Sequence, residues 1–438
     1  MLHQLGLVEA LRAFRTGATT PDAYLSACLD ASRARNPSLR AFTHLTSTLK
    51  AGDGPLGGIP VGIKDIIATA DMPTANGSAV YDGEVPASDA WVTARLRSLG
   101  ASILGKTVTT EFAWRHPGPT HNPWRRGHTP GGSSSGSAAA VAAGLVPLAL
   151  GSQTFGSVIR PAAYCGVVGF KPSFGAIPRV GIHPLAGSLD HVGLFTRSVL
   201  DAAYALSWLA ASDDGDRHGR PLVPFAVDPE TGLDPLPAPR LALVRTAIWD
   251  QADPGQRALI EATARKFRAE GGFVEDIVLP EGFEALWSAA RTILAAEAGT
   301  TFGTLVARFP DKTSEPLKDL VREGSALAAV AYVEALRLQA RLRADLDSVL
   351  QGFDAILTLP ASGPAPEGLA FTGDPAFCVP WTCLGVPALT LPAGESPDGL
   401  PLGIQLVGPY RADLRLLRIG LWCEAALARS PRFPQDPA

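Results

Sequence analysis

Apolar positions recur along this chain with two periods, one typical of helices and one typical of strands. Leu7, Leu11 and Phe14 share one helical face within residues 5–35. Residues 57–67 have the apolar positions of a strand pair. Further segments of both kinds follow: a helix over 90–99, a strand over 102–106, an alanine-rich helix over 135–143, and strands over 146–150 and 167–170. This alternation predicts an α/β fold built on a central sheet.

The second half of the chain opens with a polar stretch and then becomes mostly helical. Residues 212–238 are rich in Asp, Pro and Gly, which predicts a surface excursion. The remaining predicted elements are helices over 254–271, 281–309, 313–350 and 413–427, with strand-like sequence over 353–359 and 386–408. We expect the helices before residue 350 to lie over the sheet.

Composition favours a large buried core and argues against several classes of partner. The chain has 438 residues, of which 46% are hydrophobic and 18% charged. Its net charge is −4 and it has no long basic run, which argues against nucleic acid or an anionic membrane surface as a partner. It has neither an apolar run of about 18 residues nor the charged-then-apolar order of a signal peptide, so we expect no membrane span.

The cysteines and histidines indicate a reduced, metal-free protein. The five cysteines are odd in number and lack a C-x-x-C spacing, which predicts free thiols in a cytoplasmic protein. The eight histidines lack the H-x3-H and HExxH spacings of metal sites. We therefore expect no metal site.

Three glycine-rich segments carry the residues suited to chemistry. Lys64 follows Gly-Ile-Pro-Val-Gly-Ile, Ser133 follows Gly-Gly, and Ser157 follows Gly-Ser-Gln-Thr-Phe-Gly. A serine hydroxyl needs a base when it attacks a carbonyl, and a lysine can be that base once burial has removed its proton. The apolar neighbours of Lys64 favour such burial, and strand alternation points Asp65 to the opposite face. Together the three residues supply a nucleophile, a bridging hydroxyl and an amine base.

The order of these segments resembles the amidase signature family of serine hydrolases, and the resemblance covers most of the chain. It implies that Ser157 is the nucleophile, that Ser133 is the bridging serine with a cis peptide bond before it, and that Lys64 is the base. It also implies hydrolysis of a carboxylic amide to an acid plus ammonia or an amine, through an acyl-enzyme on Ser157. No cofactor is implied.

The resemblance further implies an oxyanion hole of backbone N–H groups, and this chain departs from the family there. The donors would belong to Thr154, Phe155, Gly156 and Ser157. Many members have Asp where Gln153 stands and Gly where Phe155 stands. Phe155 retains its N–H group, and its ring is positioned to narrow the acyl pocket.

The family fold gives the expected architecture. It implies one amidase-signature domain over residues 1–438, with a core over 55–205 and 353–428 and a helical substrate-side segment over about 240–350. The central sheet is expected to be twisted and mixed, with helices on both faces.

Aromatic residues near the motifs are candidates for the substrate pocket. Trp114 flanks the Gly/Ser turn, Phe155 precedes the nucleophile, and Trp381 lies in a C-terminal stretch that also resembles the family. Core packing explains Trp114 and Trp381 equally well. The expected partner is a small-molecule amide whose identity the sequence leaves open, and a homodimer is a common state for enzymes of this size.

Three other motifs are set aside. Ser134 formally fits G-x-S-x-G, but the sequence before it is loop-like, whereas a nucleophile elbow follows a strand. Gly151 and Gly156 have the spacing of a Walker loop, which here lacks its lysine. Cys165 has no activating motif and is interpreted as a packing residue.

Two other functions fit the same sequence. One is a transamidating protein, similar to the A subunit of the aminoacyl-tRNA amidotransferase, which passes ammonia to a partner protein. The other is a non-catalytic scaffold that retains the fold. The retention of Lys64, Ser133 and Ser157 argues against the scaffold.

Overall fold

Eleven strands form one mixed sheet in this computed structural model, which describes residues 1–233, 236–429 and 432–434. The strands are β1 (Phe42–Leu45), β2 (Pro60–Lys64), β3 (Ser102–Thr107), β4 (Leu148–Gln153), β5 (Val168–Lys171), β6 (His191–Thr196), β7 (Arg240–Val244), β8 (Phe273–Ile277), β9 (Ala355–Thr358), β10 (Ala388–Glu395) and β11 (Pro401–Val407). Their order across the sheet is β1-β3-β2-β4-β6-β5-β10-β11-β9-β7-β8. The neighbours β3, β2 and β4 run parallel, as do β9, β7 and β8, and the other pairs are antiparallel.

Twelve α-helices within the same ranges flank the sheet, so the predicted α/β class with a mixed sheet is confirmed. They are α1 (Leu7–Arg15), α2 (Pro21–Leu39), α3 (Trp91–Ser98), α4 (Ser135–Ala142), α5 (Ile159–Cys165), α6 (Val199–Leu209), α7 (Pro254–Ala269), α8 (Leu286–Arg308), α9 (Glu315–Ala326), α10 (Ala329–Val349), α11 (Val379–Cys383) and α12 (Asp413–Leu427). Helix α2 begins after Thr20, whose hydroxyl accepts a hydrogen bond from the N–H of Ala23 at 3.2 Å.

Strands β2 and β4 lie side by side in the interior, and every residue of both is buried. Parallel strands covered on both faces have this nearly continuous burial. The pattern predicted a strand over 146–150, whereas β4 extends to Gln153. It continues because Gly151 and Ser152 are small enough for the crowded space beside α4, where a Cβ on Gly151 would lie 2.6 Å from Ser134 Oγ.

The alanine-rich helix α4 is also wholly buried. Its residue Gly136 approaches the chain so closely that a Cβ there would overlap the carbonyl oxygen of Ala41 and the N–H of Val108. The N–H of Gly136 donates to the carbonyl of Val108 at 2.9 Å. Small residues therefore let α4 enter the core and fix the Gly/Ser turn that precedes it.

The segment over 240–350 is less uniformly helical than expected, because it also contributes β7 and β8 to one edge of the sheet. Its helices are tied to the first half of the chain at α9. The Glu111 carboxylate accepts from the N–H of Ser314 at 3.2 Å and from the Ser314 hydroxyl, and Trp114 Nε1 donates to the carbonyl of Pro316 at 3.0 Å. These contacts seat α9 beside the loop that carries Trp114.

The excursion after α6 has turns and a β-bridge between Asp228 and Gly232 in its described part. Residues 234–235 of that predicted excursion, and residues 430–431 and 435–438 of the predicted domain, lie outside the described residues. None of the described helices combines the length and apolarity that a bilayer crossing requires.

All five cysteines are buried and unpaired. Burial raises the pKa of every one of these thiols, because a thiolate loses its hydration in the apolar interior. The packing role expected for Cys165 agrees with its position in the core.

Candidate active site

Lys64 ends β2 and is completely buried, with its amine between two serine hydroxyls. Its Nζ lies 2.7 Å from Ser133 Oγ and 2.8 Å from Ser152 Oγ. The carboxyl ends of the parallel strands β2 and β4 meet at one edge of the sheet, which brings Lys64 and Ser152 together. The expected contact between Lys64 and Ser133 is present, and Ser152 is a third member that the sequence analysis missed.

The burial of Lys64 changes its protonation. Loss of hydration lowers the pKa of Lys64 well below its usual value, and the negative charge of Asp190 opposes that shift. A neutral amine has two N–H donors and one lone pair. An N–H donated to Ser152 leaves the lone pair free to accept the Ser133 proton.

Asp65 points away from this amine, as strand alternation predicted. Its carboxylate lies 3.9 Å from the amine of Lys106 and accepts from the N–H of Ala75 at 3.3 Å. Burial raises the pKa of Asp65 and lowers the pKa of Lys106, and the attraction within the pair opposes both shifts. The carboxylate of Asp65, the residue next to Lys64 in sequence, therefore interacts with the buried amine of Lys106 and not with that of Lys64.

Arg160 contacts the backbone of the turn that carries Ser133. The Gly132–Ser133 peptide bond is cis, as the family resemblance implied. Arg160 Nη2 donates to the carbonyl of Gly132 at 2.6 Å, and the N–H of Thr110 donates to the carbonyl of Ser133 at 3.2 Å. Arg160 is itself buried, so its hydrogen bond acts inside the core on the backbone next to the bridging serine.

The turn between β4 and α5 presents a row of backbone donors. Gln153 Oε1 accepts from the N–H groups of Val158 and Ile159 at 2.7 and 3.0 Å. Within the described chain, the N–H groups of Phe155, Gly156 and Ser157 have no hydrogen-bond acceptor. Three consecutive free donors beside a serine are the arrangement that an oxyanion requires.

Phe155 fits this turn despite its side chain. It does not have a positive φ, so its Cβ causes no backbone strain. The ring lies 6.3 Å from the ring of Trp114 in an edge-to-face arrangement, and its place in an acyl pocket stays a prediction. The departure from glycine therefore leaves the backbone donors in place.

Thr154 differs from the three residues that follow it, because its side chain is bound to a carboxylate. The Thr154 hydroxyl donates to Asp190 Oδ1 at 2.6 Å, and Asp190 Oδ2 accepts from the N–H groups of Leu185 and Ala186 at 2.9 and 3.0 Å. We call the turn over residues 154–158, between β4 and α5, the nucleophile turn. The contact with Asp190 joins the start of this turn to the loop before β6. Its role as an oxyanion donor stays a prediction.

Ser157, the predicted nucleophile, is nearly enclosed. Ser157 is 8% exposed, and its hydroxyl makes no hydrogen bond within the described residues. The relay is therefore closed between Lys64 and Ser133 and open between Ser133 and Ser157. The catalytic roles of the three residues stay predictions.

The two candidate tryptophans have different surroundings. Trp114 is 8% exposed and packs against Phe155, with the guanidinium groups of Arg115 and Arg291 at 5.1 and 5.2 Å from its ring. Trp381 is fully buried in a cluster of apolar residues that includes Ile159, Phe283 and Leu346. A substrate contact by either tryptophan stays a prediction, and the full burial of Trp381 does not favour one there.

A cavity of about 310 Å³ begins beside Ser152 and Thr154. Arg179, His183 and Asp190 contribute polar groups to its wall. In the described part of the chain, no three His, Cys, Asp or Glu side chains are placed to hold a metal ion. The cavity is large enough for a small organic molecule; its wall includes Ser152, which contacts Lys64, but not Lys64, Ser133 or Ser157 themselves.

Sequence reasoning could have found Ser152 but not Asp190. Ser152 lies only five residues before Ser157, so its polar side chain near the motif was the available signal, but its contact with Lys64 depends on β2 and β4 being neighbours, which the sequence does not encode. Asp190 lies in a loop 36 residues after Thr154, and no local pattern marks their contact.

The chain is similar to known proteins over nearly its whole length. The model of the family described as Amidase matches residues 12–417. Among curated relatives, the A subunit of the glutamyl-tRNA(Gln) amidotransferase of Thermus thermophilus is 38% identical over 94% of this chain and 95% of that protein. The protein of the same name from Rhodopirellula baltica is 34% identical over 96% of this chain and 95% of its own length.

Solved structures give the same result. The native peptide amidase of Stenotrophomonas maltophilia superimposes with a TM-score of 0.84 and 30% sequence identity, over 99% of both chains. The fold is thus shared with solved structures of a glutamyl-tRNA(Gln) amidotransferase A subunit and of a peptide amidase.

Proposed function

This chain belongs to the amidase family, and from that premise we propose that it cleaves the C–N bond of a carboxylic amide through an acyl-enzyme on Ser157. The observation that carries the proposal is the buried amine of Lys64, 2.7 Å from the Ser133 hydroxyl. Burial lowers the pKa of Lys64 well below its usual value, which favours the neutral amine that can accept a proton.

The proposed reaction moves one proton along two hydroxyls. Ser157 Oγ attacks the amide carbonyl while its proton passes to Ser133 and the Ser133 proton passes to Lys64. The carbonyl oxygen becomes an oxyanion that accepts from the free N–H groups of the turn. The ammonium of Lys64 then returns the proton through Ser133 to the leaving nitrogen, and the C–N bond breaks.

The acyl group is then transferred to water. Water attacks the Ser157 ester, its proton follows the same path to Lys64, and the carboxylic acid leaves as Ser157 regains its proton. Removing one oxyanion donor from such a site typically costs about 2.7–4 kcal/mol of transition-state stabilisation. The substrate is a small amide and no cofactor takes part.

The fate of the released nitrogen separates two versions of this function. The names of the curated relatives favour a transamidating role, in which the chain would release ammonia from an amide donor for use by a partner protein. They favour it over the free-standing amidase expected from the sequence. The peptide amidase structure, similar over 99% of the chain, favours the free-standing enzyme. Both versions use the same acyl-enzyme.

A serine-directed probe tests the shared chemistry. A fluorophosphonate should label the wild-type chain once, at Ser157, and the Ser157→Ala variant should not react. Ser134→Ala is the matched control, because Ser134 lies beside Ser133 and its hydroxyl is directed at the backbone of Ser152. Labelling that persists in Ser157→Ala would refute the proposed nucleophile and with it the function.

A second experiment separates the two versions. The purified chain is assayed for ammonia or amine release from glutamine and from a panel of simple amides, alone and with the other subunits of a bacterial glutamyl-tRNA amidotransferase. Release from simple amides by the chain alone supports a free-standing amidase. Release from glutamine that requires the other subunits supports the transamidating role. A cytoplasmic location belongs to either version, since all five cysteines are free thiols.

A further inference from the structure

Gln153 uses every hydrogen-bonding group of its side chain inside the protein. Its Oε1 accepts from the N–H groups of Val158 and Ile159, and its Nε2 donates to Thr382 Oγ1 at 2.7 Å. Gln153 and Thr382 are each 1% exposed. Two N–H donors on one side and a hydroxyl on the other fix which end of the amide is oxygen.

The chain of hydrogen bonds continues from Thr382 to the nucleophile turn. Thr382 Oγ1 donates to the carbonyl oxygen of Phe155 at 2.8 Å. A hydroxyl has one proton, so this donation is available because Gln153 acts as the donor in the other contact. The order is therefore amide to hydroxyl to carbonyl, and the amide of Gln153 sets its direction.

Holding the Phe155 carbonyl also aims the next N–H. The Phe155–Gly156 peptide bond is trans, so its C=O and N–H lie in one plane and point in opposite directions. A carbonyl held by Thr382 on one side turns the N–H of Gly156 to the other side. That N–H is one of the three without an acceptor in the described chain.

We propose that Gln153 and Thr382 form one uncharged positioning pair that aims the oxyanion-hole donors of the nucleophile turn. The pair links residues 229 apart in sequence, from the end of β4 to α11. The inference rests on the proposed acyl-enzyme function and adds two residues that touch neither substrate nor Lys64. It also gives a physical reason for an amide where many family members have a carboxylate.

The charge of residue 153 matters in two ways. A carboxylate could still accept from Val158 and Ile159, but it has no proton to donate to Thr382. The Thr382 hydroxyl would then donate to the carboxylate and release the Phe155 carbonyl. A negative charge next to the turn would also oppose the negative charge that develops on the substrate oxygen.

The test measures phosphonylation of Ser157 by a fluorophosphonate, because the phosphoryl oxygen occupies the oxyanion hole during attack. Thr382→Val is expected to lower the maximal inactivation rate by about 10- to 100-fold with little change in the half-saturating probe concentration. Thr382→Ser keeps the hydroxyl and is the matched control, expected to stay within about threefold of wild type.

Gln153→Glu supplies the independent variant. It keeps the size and the acceptor of the side chain and removes the donor, so it should slow inactivation to a similar degree. Combining it with Thr382→Val should add little, because both changes break the same path. Melting temperatures of all variants show whether the fold is intact.

The outcomes are distinct. A wild-type inactivation rate in Thr382→Val, equal losses in the Val and Ser variants, or additive losses in the double variant would overturn the pairing. A wild-type chain that does not react with the probe would instead refute the proposed function. Rescue by Ser and non-additivity with Gln153→Glu support the pair, because a merely structural role would lower stability without this pattern.

Discussion

At the scale of single residues, burial decides what Lys64 can do. The side chain is fully enclosed and its amine contacts two hydroxyls rather than a carboxylate. A lysine on the surface would be a hydrated cation, whereas this one has a pKa lowered by loss of hydration. The strand that places Lys64 inside the core is thus the origin of its chemistry.

Replacing Lys64 should remove the base without removing the fold. Lys64→Met preserves the length and apolar stem of the side chain, and we expect kcat to fall by about 10²- to 10⁴-fold with a near-native melting temperature. In the wild type, activity should rise with pH as Lys64 passes through its lowered pKa, because only the neutral amine accepts a proton. A rate that is flat from about pH 5 to pH 9, with chemistry limiting, would contradict a lysine base.

Ser152 should matter in a different way. Its hydroxyl accepts from Lys64, and that contact stabilises the charged amine more than the neutral one. Ser152→Ala should therefore move the acid limb of the pH–rate profile to lower pH and reduce the plateau about tenfold through misorientation of the amine. Ser137→Ala is the control, because Ser137 is equally buried and contacts Thr107 and Leu150 instead. Identical pH profiles for both variants would argue against this role.

The sequence predicted the residues whose chemistry is local and missed those that act at a distance. Lys64, Ser133 and Ser157 each lie in a short recognisable segment. Thr382 reaches the nucleophile turn only because α11 packs against it, and no spacing in the chain encodes that contact. The proposed positioning role of Gln153 can be inferred only from its hydrogen bond to Thr382, which the structure shows and the sequence does not.

At the scale of elements, several apolar runs were predicted correctly as strands or helices, and four strands were missed. The strands expected over 102–106 and 167–170 and the helix over 413–427 are present as β3, β5 and α12. Strands β1, β6, β7 and β8 were missed; β6 and β7 are nearly wholly buried, whereas β1 and β8 have polar or charged residues at exposed positions. The expected helix over 313–350 is interrupted at Leu327 between α9 and α10.

Two helical glycines should respond in opposite directions to the same substitution. Gly303→Ala in α8 meets open space and should raise the free energy of unfolding by about 0.5–1 kcal/mol through helix propensity. Gly136→Ala in α4 meets the backbone of Ala41 and Val108, and should lower it by about 1–3 kcal/mol or more.

Urea unfolding of both glycine variants checks this prediction. Gly136→Ala should also lose activity, since α4 fixes the turn that carries Ser133. A neutral or stabilising effect of Gly136→Ala would mean that α4 does not approach the chain as closely as described.

At the scale of the whole molecule, the sheet order determines which segments meet. Strands β2 and β4 are neighbours although 83 residues separate Lys64 from Leu148, the start of β4. The second half of the chain enters the same sheet through β10, next to β5, which brings α11 against the nucleophile turn. Periodicity predicts strands but not their order, so this part of the architecture came from the family resemblance and the structure.

Global stability should depend on a carboxyl far from the active site. Glu424 on α12 accepts from the N–H of Val199 at the start of α6, and burial raises the pKa of Glu424 to about 7. The folded state therefore keeps a proton that the unfolded state releases above the ordinary pKa of 4.5, so stability falls as the pH rises from there to about 7.

Glu424→Gln should remove this dependence. Glutamine still accepts from Val199 and has no proton to lose, so the variant should be more stable than wild type by about 1–2 kcal/mol at pH 8 and similar to it at pH 4. Urea unfolding of both proteins at the two pH values measures the difference. A wild type whose stability rises over that interval, with no change in the variant, would reverse the assignment.

Because all five cysteines are buried, their reactivity reports whether the folded protein has opened. Each thiol is buried and its pKa is raised, so a maleimide can react only in molecules whose interior has opened. The rate of the maleimide reaction measures how often the interior opens. A serine-directed reagent added to the same sample measures the fraction of molecules with a reactive active site. A variant that reacts slowly with the serine-directed reagent and does not react with maleimide has lost reactivity at the active site while its interior stays closed.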